Sequence, residues 1–266
     1  MDDVDELIDR CREKLGEPDG VYRPAPVWKH LLLGGGLLVG GLLVGGLVLA
    51  VAPRAAAGLA KVLLIGPVAG GLILWHGLAA RGRAVLTYPD GLLPVGRGVV
   101  DWIAWDAVGP LSLRAKDATP AGPVLAVGRP TVMLNAARLT VERDGGPPLL
   151  IRPALIGYDL LAVRVQRERF ARRWPAVRKA FDAGEAVGFG PLDLSRDGVG
   201  KGTKVLPWDR VKAVEVKGGR VIVKRKGRWL TWAAVPLEKV PDPAVFLALA
   251  DHARGAAGDD PGERLV

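Results

Sequence analysis

Residues 31–52 read Leu-Leu-Leu-Gly-Gly-Gly-Leu-Leu-Val-Gly-Gly-Leu-Leu-Val-Gly-Gly-Leu-Val-Leu-Ala-Val-Ala, 22 positions without a charge. A bilayer core about 30 Å thick takes about 20 apolar residues as helix. The stretch therefore predicts a membrane-spanning helix. Val62–Ala80 forms a second run of 19 residues, and His76 is its only strongly polar member. The connection Pro53–Lys61 is too short for a domain, so residues 31–80 are expected to form a two-helix transmembrane hairpin. The competing reading is a pair of buried core helices, but uncharged runs of this length are the membrane signature. A cleaved signal peptide would need a basic leader before a short apolar segment. Here residues 1–30 hold 5 basic and 8 acidic side chains.

Within these runs Gly36 and Gly40, Gly41 and Gly45, and Gly66 and Gly70 stand four apart. Small residues at that spacing let helices approach closely in lipid. They suit a tight hairpin or a homodimer formed through the Gly-rich helices. His76 next to Trp75 reads as a membrane-edge residue. The cations Lys14, Arg23 and Lys29 before the hairpin, and Arg81, Arg83 and Arg97 after it, outnumber Arg54 and Lys61 in the turn. By the positive-inside rule both termini lie in the cytoplasm, making this a multi-pass protein of the inner (cytoplasmic) membrane. Trp28 and Trp75 flank the same end, as an interfacial belt would.

The whole chain has 266 residues, with 37 Lys and Arg against 28 Asp and Glu. The lone Cys11 excludes a disulfide framework and a Cys-rich metal site, and agrees with a reducing compartment. Three histidines leave little material for another metal centre, so neither metal nor cofactor is expected. Abundant Ala, Gly, Pro and Arg suggest a bacterial genome rich in GC. Upstream of the hairpin, Val4, Leu7, Ile8, Cys11 and Leu15 form one apolar stripe, which predicts an amphipathic helix over 1–17. That helix docks either a partner or this protein's own cytoplasmic part. Residues 18–30 then read as a linker.

Residues 81–266 carry an internal repeat. Asp90-Gly91-Leu92 and Trp105-Asp106-Ala107-Val108 return as Asp197-Gly198-Val199 and Trp208-Asp209-Arg210-Val211. Arg138–Gly145 parallels Arg220–Gly227, and each copy closes with an apolar strand (Leu149–Ile151; Trp229–Trp232) and a helical stretch (Ala154–Trp174; Pro243–Ala253). The strands are expected at Arg83–Tyr88, Gly91–Val95, Val99–Trp105 and Leu111–Arg114, with a Gly-Gly hairpin over Val214–Val223. Leu155, Tyr158, Leu161, Ala162 and Val165 form the buried stripe of the first helix; Val245, Phe246, Leu249 and Ala250 form that of the second. The fold class is thus α+β, with domains at 81–174 and 186–253, a helical link at 175–185 and a disordered tail at 254–266.

Strands closed by one C-terminal helix, with an early Asp-Gly turn and the step Val205-Leu-Pro-Trp208-Asp209-Arg-Val211, resemble an uncharacterised family of bacterial membrane proteins. Members of that family carry tandem pleckstrin-homology-like domains. The likeness spans roughly residues 82–253 and includes Gly188-Phe189-Gly190. Copy one has the looser form Trp102-Ile-Ala-Trp105-Asp106 and a longer insert, Lys116–Asn135. The resemblance implies two β-barrel or sandwich domains that bind lipid headgroups, peptides or proteins and do no chemistry.

Catalytic patterns are weak. Gly198-Val-Gly-Lys-Gly-Thr203 lacks the phosphate-loop spacing and precedes a strand, so it reads as a Gly-rich turn. Ser112 and Ser195 lie in strands without a nucleophile elbow. Asp101 and Asp106, or Asp193 and Asp197, read as turn residues rather than paired catalytic carboxylates, and Trp105 and Trp208 as core anchors. The clearest surface signal is basic. Lys201, Lys204, Arg210, Lys212, Lys224, Arg225, Lys226 and Arg228 sit in a segment whose only acids are Asp209 and Glu215. A second cluster comprises Arg164, Arg167, Arg169, Arg172, Arg173, Arg178 and Lys179. Each cation near an anionic bilayer contributes about 1 kcal/mol. The expected partners are therefore the membrane, anionic lipid headgroups and an unidentified protein. Nucleic acid lacks the interleaved aromatics or helix-turn-helix it would need. A solvated basic face is the competing reading. The expected function is a non-enzymatic membrane-anchored scaffold or sensor; the alternative is an accessory subunit of a membrane enzyme or transporter.

Overall fold

A computed structural model describes residues 2–24, 28–51, 64–79, 83–96, 99–114, 120–126, 129–134, 138–143 and 146–258. The chain divides into two compact units. One holds Met1–Pro89, Leu93–Trp102 and Ala154–Ile156; the other holds Asp90–Leu92, Ile103–Pro153 and Gly157–Val266.

In the first unit, helix α1 (Asp2–Leu15) lays the middle of its stripe on the protein itself, while Leu15 is exposed. Ile8 and Cys11 are buried with Ala84, Leu86, Tyr88, Leu93 and Val95, and Leu7 and Val21 pack beside them. Gly16, at φ 84°, ends the helix, and its N–H donates to the Arg12 carbonyl at 2.9 Å. Only glycine enters that conformation without strain. The stretch expected to be linker then supplies a strand. β1 (Gly20–Tyr22) pairs antiparallel with β2 (Arg83–Thr87), Gly20 opposite Thr87 and Tyr22 opposite Val85. The sheet continues through β3 (Gly91–Gly96) to β4 (Val99–Val100). Leu155, expected on a helix, instead bridges Pro24, and the Ile156 N–H donates to the Arg23 carbonyl at 2.7 Å.

Two apolar helices lie in sequence between β1 and β2. α2 (Trp28–Val51) contains one apolar segment long enough to cross a membrane, Leu31–Val51, and its leucines are largely exposed. α3 (Ile65–Ala79) is apolar over Ile65–Trp75, less than a full crossing; the ends of the run Val62–Ala80 lie outside the described residues. The helices touch through glycine. A Cβ on Gly70 would stand 2.6 Å from both the Gly34 carbonyl and the Leu38 nitrogen, and one on Gly41 would stand 2.5 Å from Pro67 Cδ. Early residues of α2 thus meet late residues of α3, so the two run antiparallel. Gly36, Gly40 and Gly45 have no described residue near enough to make this contact. The close approach uses Gly41, Gly66 and Gly70, which the four-residue spacing named, together with Gly34, which it did not.

In the second unit the repeat is visible in strand register. Gly91 pairs with Ala104 of β5 (Ile103–Ala104), and the 3₁₀ turn Trp105–Ala107 follows. In copy two, β11 (Val187–Phe189), β12 (Leu192–Ser195), β13 (Gly198–Lys201) and β14 (Lys204–Pro207) form a meander. There Gly198 pairs with Pro207, and the 3₁₀ turn Trp208–Arg210 follows. Ala104 and Pro207 enter these turns with near-identical dihedrals, φ −61° and −59°, ψ 146° and 147°. Each turn leads to a seven-residue strand, β6 (Val108–Arg114) in one copy, paired with six-residue β9 (Arg138–Arg143), which pairs in turn with β10 (Leu149–Ile151). Copy two matches it with β15 (Val211–Lys217), β16 (Arg220–Arg225) and β17 (Thr231–Pro236). Both first pairings carry a register shift near their start. The insert of copy one adds a hairpin of β7 (Pro120–Ala126) and β8 (Arg129–Leu134), whose strands were not anticipated.

Each copy ends in a helix. α4 (Tyr158–Asp182) runs unbroken through the boundary expected after Trp174 and buries Tyr158, Leu161, Ala162 and Val165. α5 (Pro243–Gly258) buries Val245, Phe246, Leu249 and Ala250. Residues 259–266 of the expected tail lie outside the described residues.

Candidate binding surface

Of the structural motif residues, the two tryptophans are buried. Trp105 and Trp208 are 1% and 6% exposed, and the Trp208 indole N–H donates to the Ser195 carbonyl at 2.8 Å. The Trp105 N–H donates to the Asp90 carbonyl at 3.0 Å, tying the Asp90-Gly91 turn to the tryptophan step. Gly198 is enclosed, because a Cβ there would strike the Leu206 carbonyl. Asp106 is exposed and accepts from Arg172 Nε at 2.7 Å. Asp197 and Asp209 are exposed at turns. The segment with the look of a phosphate loop is β13 plus the Gly202-Thr203 turn, with Lys201 opposite Lys204.

The second basic cluster divides. Arg169 is an internal ion-pair partner. Its Nε lies 3.2 Å from both Asp242 carboxylate oxygens and its Nη2 3.0 Å from Oδ2, while Nη1 donates to the Val108 carbonyl at 2.9 Å. Asp242 is 7% exposed, and its Oδ1 also accepts the Leu111 N–H at 2.9 Å. The Asp242 N–H donates to the Leu111 carbonyl in return, and its carbonyl accepts from Val245 and Phe246 at the start of α5. One carboxylate thus fastens strand β6 and helix α4 of the first copy to helix α5 of the second. Arg172 pairs with Glu168 as well as Asp106, and Arg178 pairs with Asp182. The hydrogen bond from the His252 ring, at 3.0 Å, and then Arg178 hold the Asp182 carboxyl below its usual range. Arg164 stacks over Trp105, 6.0 Å from the ring centre. Arg167, Arg173 and Lys179 remain exposed.

The first cluster keeps its cations outward. Lys201, Lys204, Arg210, Lys212, Lys226 and Arg228 are exposed, and Lys224 and Arg225 half-buried. Among the described residues only Lys224 of these eight has a carboxylate partner, Glu215 at 2.6 Å. The β15–β16 hairpin turns on Gly218 and Gly219, at φ 56° and 68°, the positive pair a two-residue turn requires. Val221, Val223, Ala233 and Val235 point into the core, leaving the alternate positions outside. The β16–β17 loop, Lys226-Gly227-Arg228-Trp229-Leu230, has Gly227 at φ 68°. The Lys226 N–H donates to the Arg210 carbonyl at 2.8 Å, which ties the loop to the Trp208–Arg210 turn. Trp229 at its tip is 93% exposed and Leu230 57%. The charge count found the cations of this loop, but Trp229 and Leu230, expected to begin the closing apolar strand of copy two, instead precede β17, which starts at Thr231.

Residues 132–258 match a protein family described as a family of unknown function (DUF6585). The matched stretch begins in β8 and covers the end of copy one, helix α4 and all of copy two, including the loop at Trp229. Neither a curated protein nor a solved structure matches the chain. The basic hairpins and the Arg169–Asp242 pair therefore lie in the part that resembles other sequences, and the apolar helices outside it.

Proposed function

We propose that the chain is a non-enzymatic, membrane-anchored scaffold or sensor, which presents two pleckstrin-homology-like repeats to the cytoplasm for a protein or anionic headgroups. The observation carrying this reading is the outward cation set on the hairpins of copy two, free of carboxylates among the described residues except at Lys224, on a chain that also holds a membrane-length apolar helix. A solvated surface normally intersperses both signs, and a one-sign field beside lipid attracts acidic headgroups. The residues that resemble catalytic parts have other tasks: Asp106 holds Arg172, and Lys201 and Lys204 frame a hairpin turn.

The anchor is read as a two-pass hairpin with both ends in the cytoplasm. Its support is the β1–β2 ladder, whose strands precede and follow the apolar helices. Strands of one sheet share one side of a bilayer, so the number of crossings between them is even. The antiparallel Gly34–Gly70 and Gly41–Pro67 contacts agree with a return pass through α3.

Reconstitution of the full chain in nanodiscs tests the binding reading. Amide exchange over residues 201–228 is expected to slow in discs containing one-third phosphatidylserine relative to neutral discs, and charge reversal at Lys224, Arg225 and Lys226 should remove the difference. Equal exchange in both discs, unchanged by the reversals, refutes headgroup binding. Recovery of a stoichiometric enzyme or transporter from native membranes would instead identify an accessory subunit.

A further inference from the structure

We infer that the β16–β17 loop is a membrane-inserting tip, in which Trp229 and Leu230 enter the headgroup region of an anionic bilayer while Lys226 and Arg228 grip its phosphates. This rests on the headgroup-binding reading above and assigns it a depth and an anchor. Fold requirements do not explain the tip. Of the other tryptophans described in the repeats, Trp105 and Trp208 are core anchors, Trp102 packs on Tyr88 with ring centres 5.6 Å apart, Trp174 stacks on Phe170 at 5.5 Å, and Trp232 is half-buried on β17. Trp229 alone among them is almost wholly exposed, with exposed Leu230 beside it. Large adjacent apolar side chains in water mark a contact site.

The chemistry of the surroundings selects the occupant. A protein groove would satisfy the indole equally well, but the flanking run Lys224-Arg225-Lys226-Gly227-Arg228 puts four cations within five residues of Trp229, with Glu215 the one paired carboxylate. An apolar tip with a basic collar is the combination that binds anionic interfaces, burying apolar area and gaining charge attraction together. Tryptophan prefers that depth because its ring is apolar and its N–H stays wet. The tip is also preorganised. A two-strand base and the Lys226–Arg210 hydrogen bond hold it, so little ordering remains to be done on contact.

The test is a nitroxide at Leu230→Cys in a Cys11→Ala background, which keeps Trp229, in full-length protein in nanodiscs, with depth read by power-saturation electron paramagnetic resonance. In discs with one-third phosphatidylserine the label is expected at the headgroup–acyl boundary, and in neutral discs in water. Lys226→Glu with Arg228→Glu should return it to water, since each lost cation weakens surface attraction about fivefold before repulsion is added. In a parallel measurement on unlabelled protein, Trp229→Ala should raise amide exchange at residues 226–230 by about tenfold in anionic discs, and Trp229→Phe should rescue most of it. A label that stays aqueous in anionic discs overturns the tip. If exchange over 201–228 still slows there, headgroup binding survives without insertion; if it does not, both readings fall. Equal insertion in neutral discs overturns the charge grip.

Discussion

Replacing Asp242 by Asn should cost the second unit about 3 kcal/mol. The carboxylate is 7% exposed and sits between Arg169 and the Leu111 amide, at 2.9–3.2 Å from its partners. Asparagine keeps the shape and an acceptor for Leu111, and it tolerates the left-handed φ of 48° at this position. What disappears is the charge that compensates Arg169, whose side chain is only 17% exposed. Removing one partner of a buried pair costs about 3–5 kcal/mol, because the other charge stays desolvated; partial exposure of the arginine places this case at the lower end. For a chain of this size about 3 kcal/mol corresponds to a Tm lowered by roughly 6–12 °C. Near-UV circular dichroism of the full chain in nanodiscs reads it, and amide exchange in β6 and the first turn of α5 locates it. Arg169→Met on top of Asp242→Asn should recover part of this loss, since no desolvated charge then remains. A Tm for Asp242→Asn within 1 °C of the native value would refute the claim that this pair holds the two repeats together.

Other outcomes follow from the same contacts. Tyr158 is 5% exposed, its hydroxyl has no hydrogen-bond partner among the described residues, and burial pushes its pKa up to about 12. The fold favours the neutral phenol, so its contribution is present below pH 10 and is lost as pH rises towards 12, by roughly 2–3 kcal/mol. Tyr158→Phe should remove that loss in an alkaline melt. Asp182 has the opposite sign: its lowered carboxyl supports the fold above about pH 4 and ceases to do so as the pH falls further, so Asp182→Asn should flatten the acid limb of the stability curve. Cys11 is 7% exposed, and burial raises its thiol pKa. It should react slowly with a disulfide reagent, and Ile8→Ala, a loss of about 2–4 kcal/mol from the same cluster, should accelerate the reaction at least tenfold.

Elements announced by local chemistry were legible in the sequence. The stripe of α1, the two apolar runs and the Gly218-Gly219 hairpin each follow from residues within one turn or one strand of each other. The tryptophan steps could be found because the chain repeats them. Long-range partnerships were not readable. β1 is three residues between Gly16 and Pro24, too short for any periodicity, and it becomes a strand only because β2 offers an edge across the apolar segment. Arg169 looks like its neighbours Arg167 and Arg173 until Asp242, 73 positions on, is brought to it. Of the basic surface, the charges were countable, whereas the separation of Lys224, half neutralised by Glu215, from the outward Lys226 and Arg228 depends on strand register.

The β1–β2 ladder also bears on how the protein is made. Its first strand leaves the ribosome before either apolar helix, and its second leaves after both. The edge strand must therefore wait, unpaired, while about 60 residues are made. Closure of the ladder then draws Ile8 and Cys11 onto Leu86 and Leu93. On the two-pass anchor proposed above, completion of this amino-terminal core would report that insertion has ended with the chain back on its starting side, and a chain stranded after a single crossing would keep that apolar patch open.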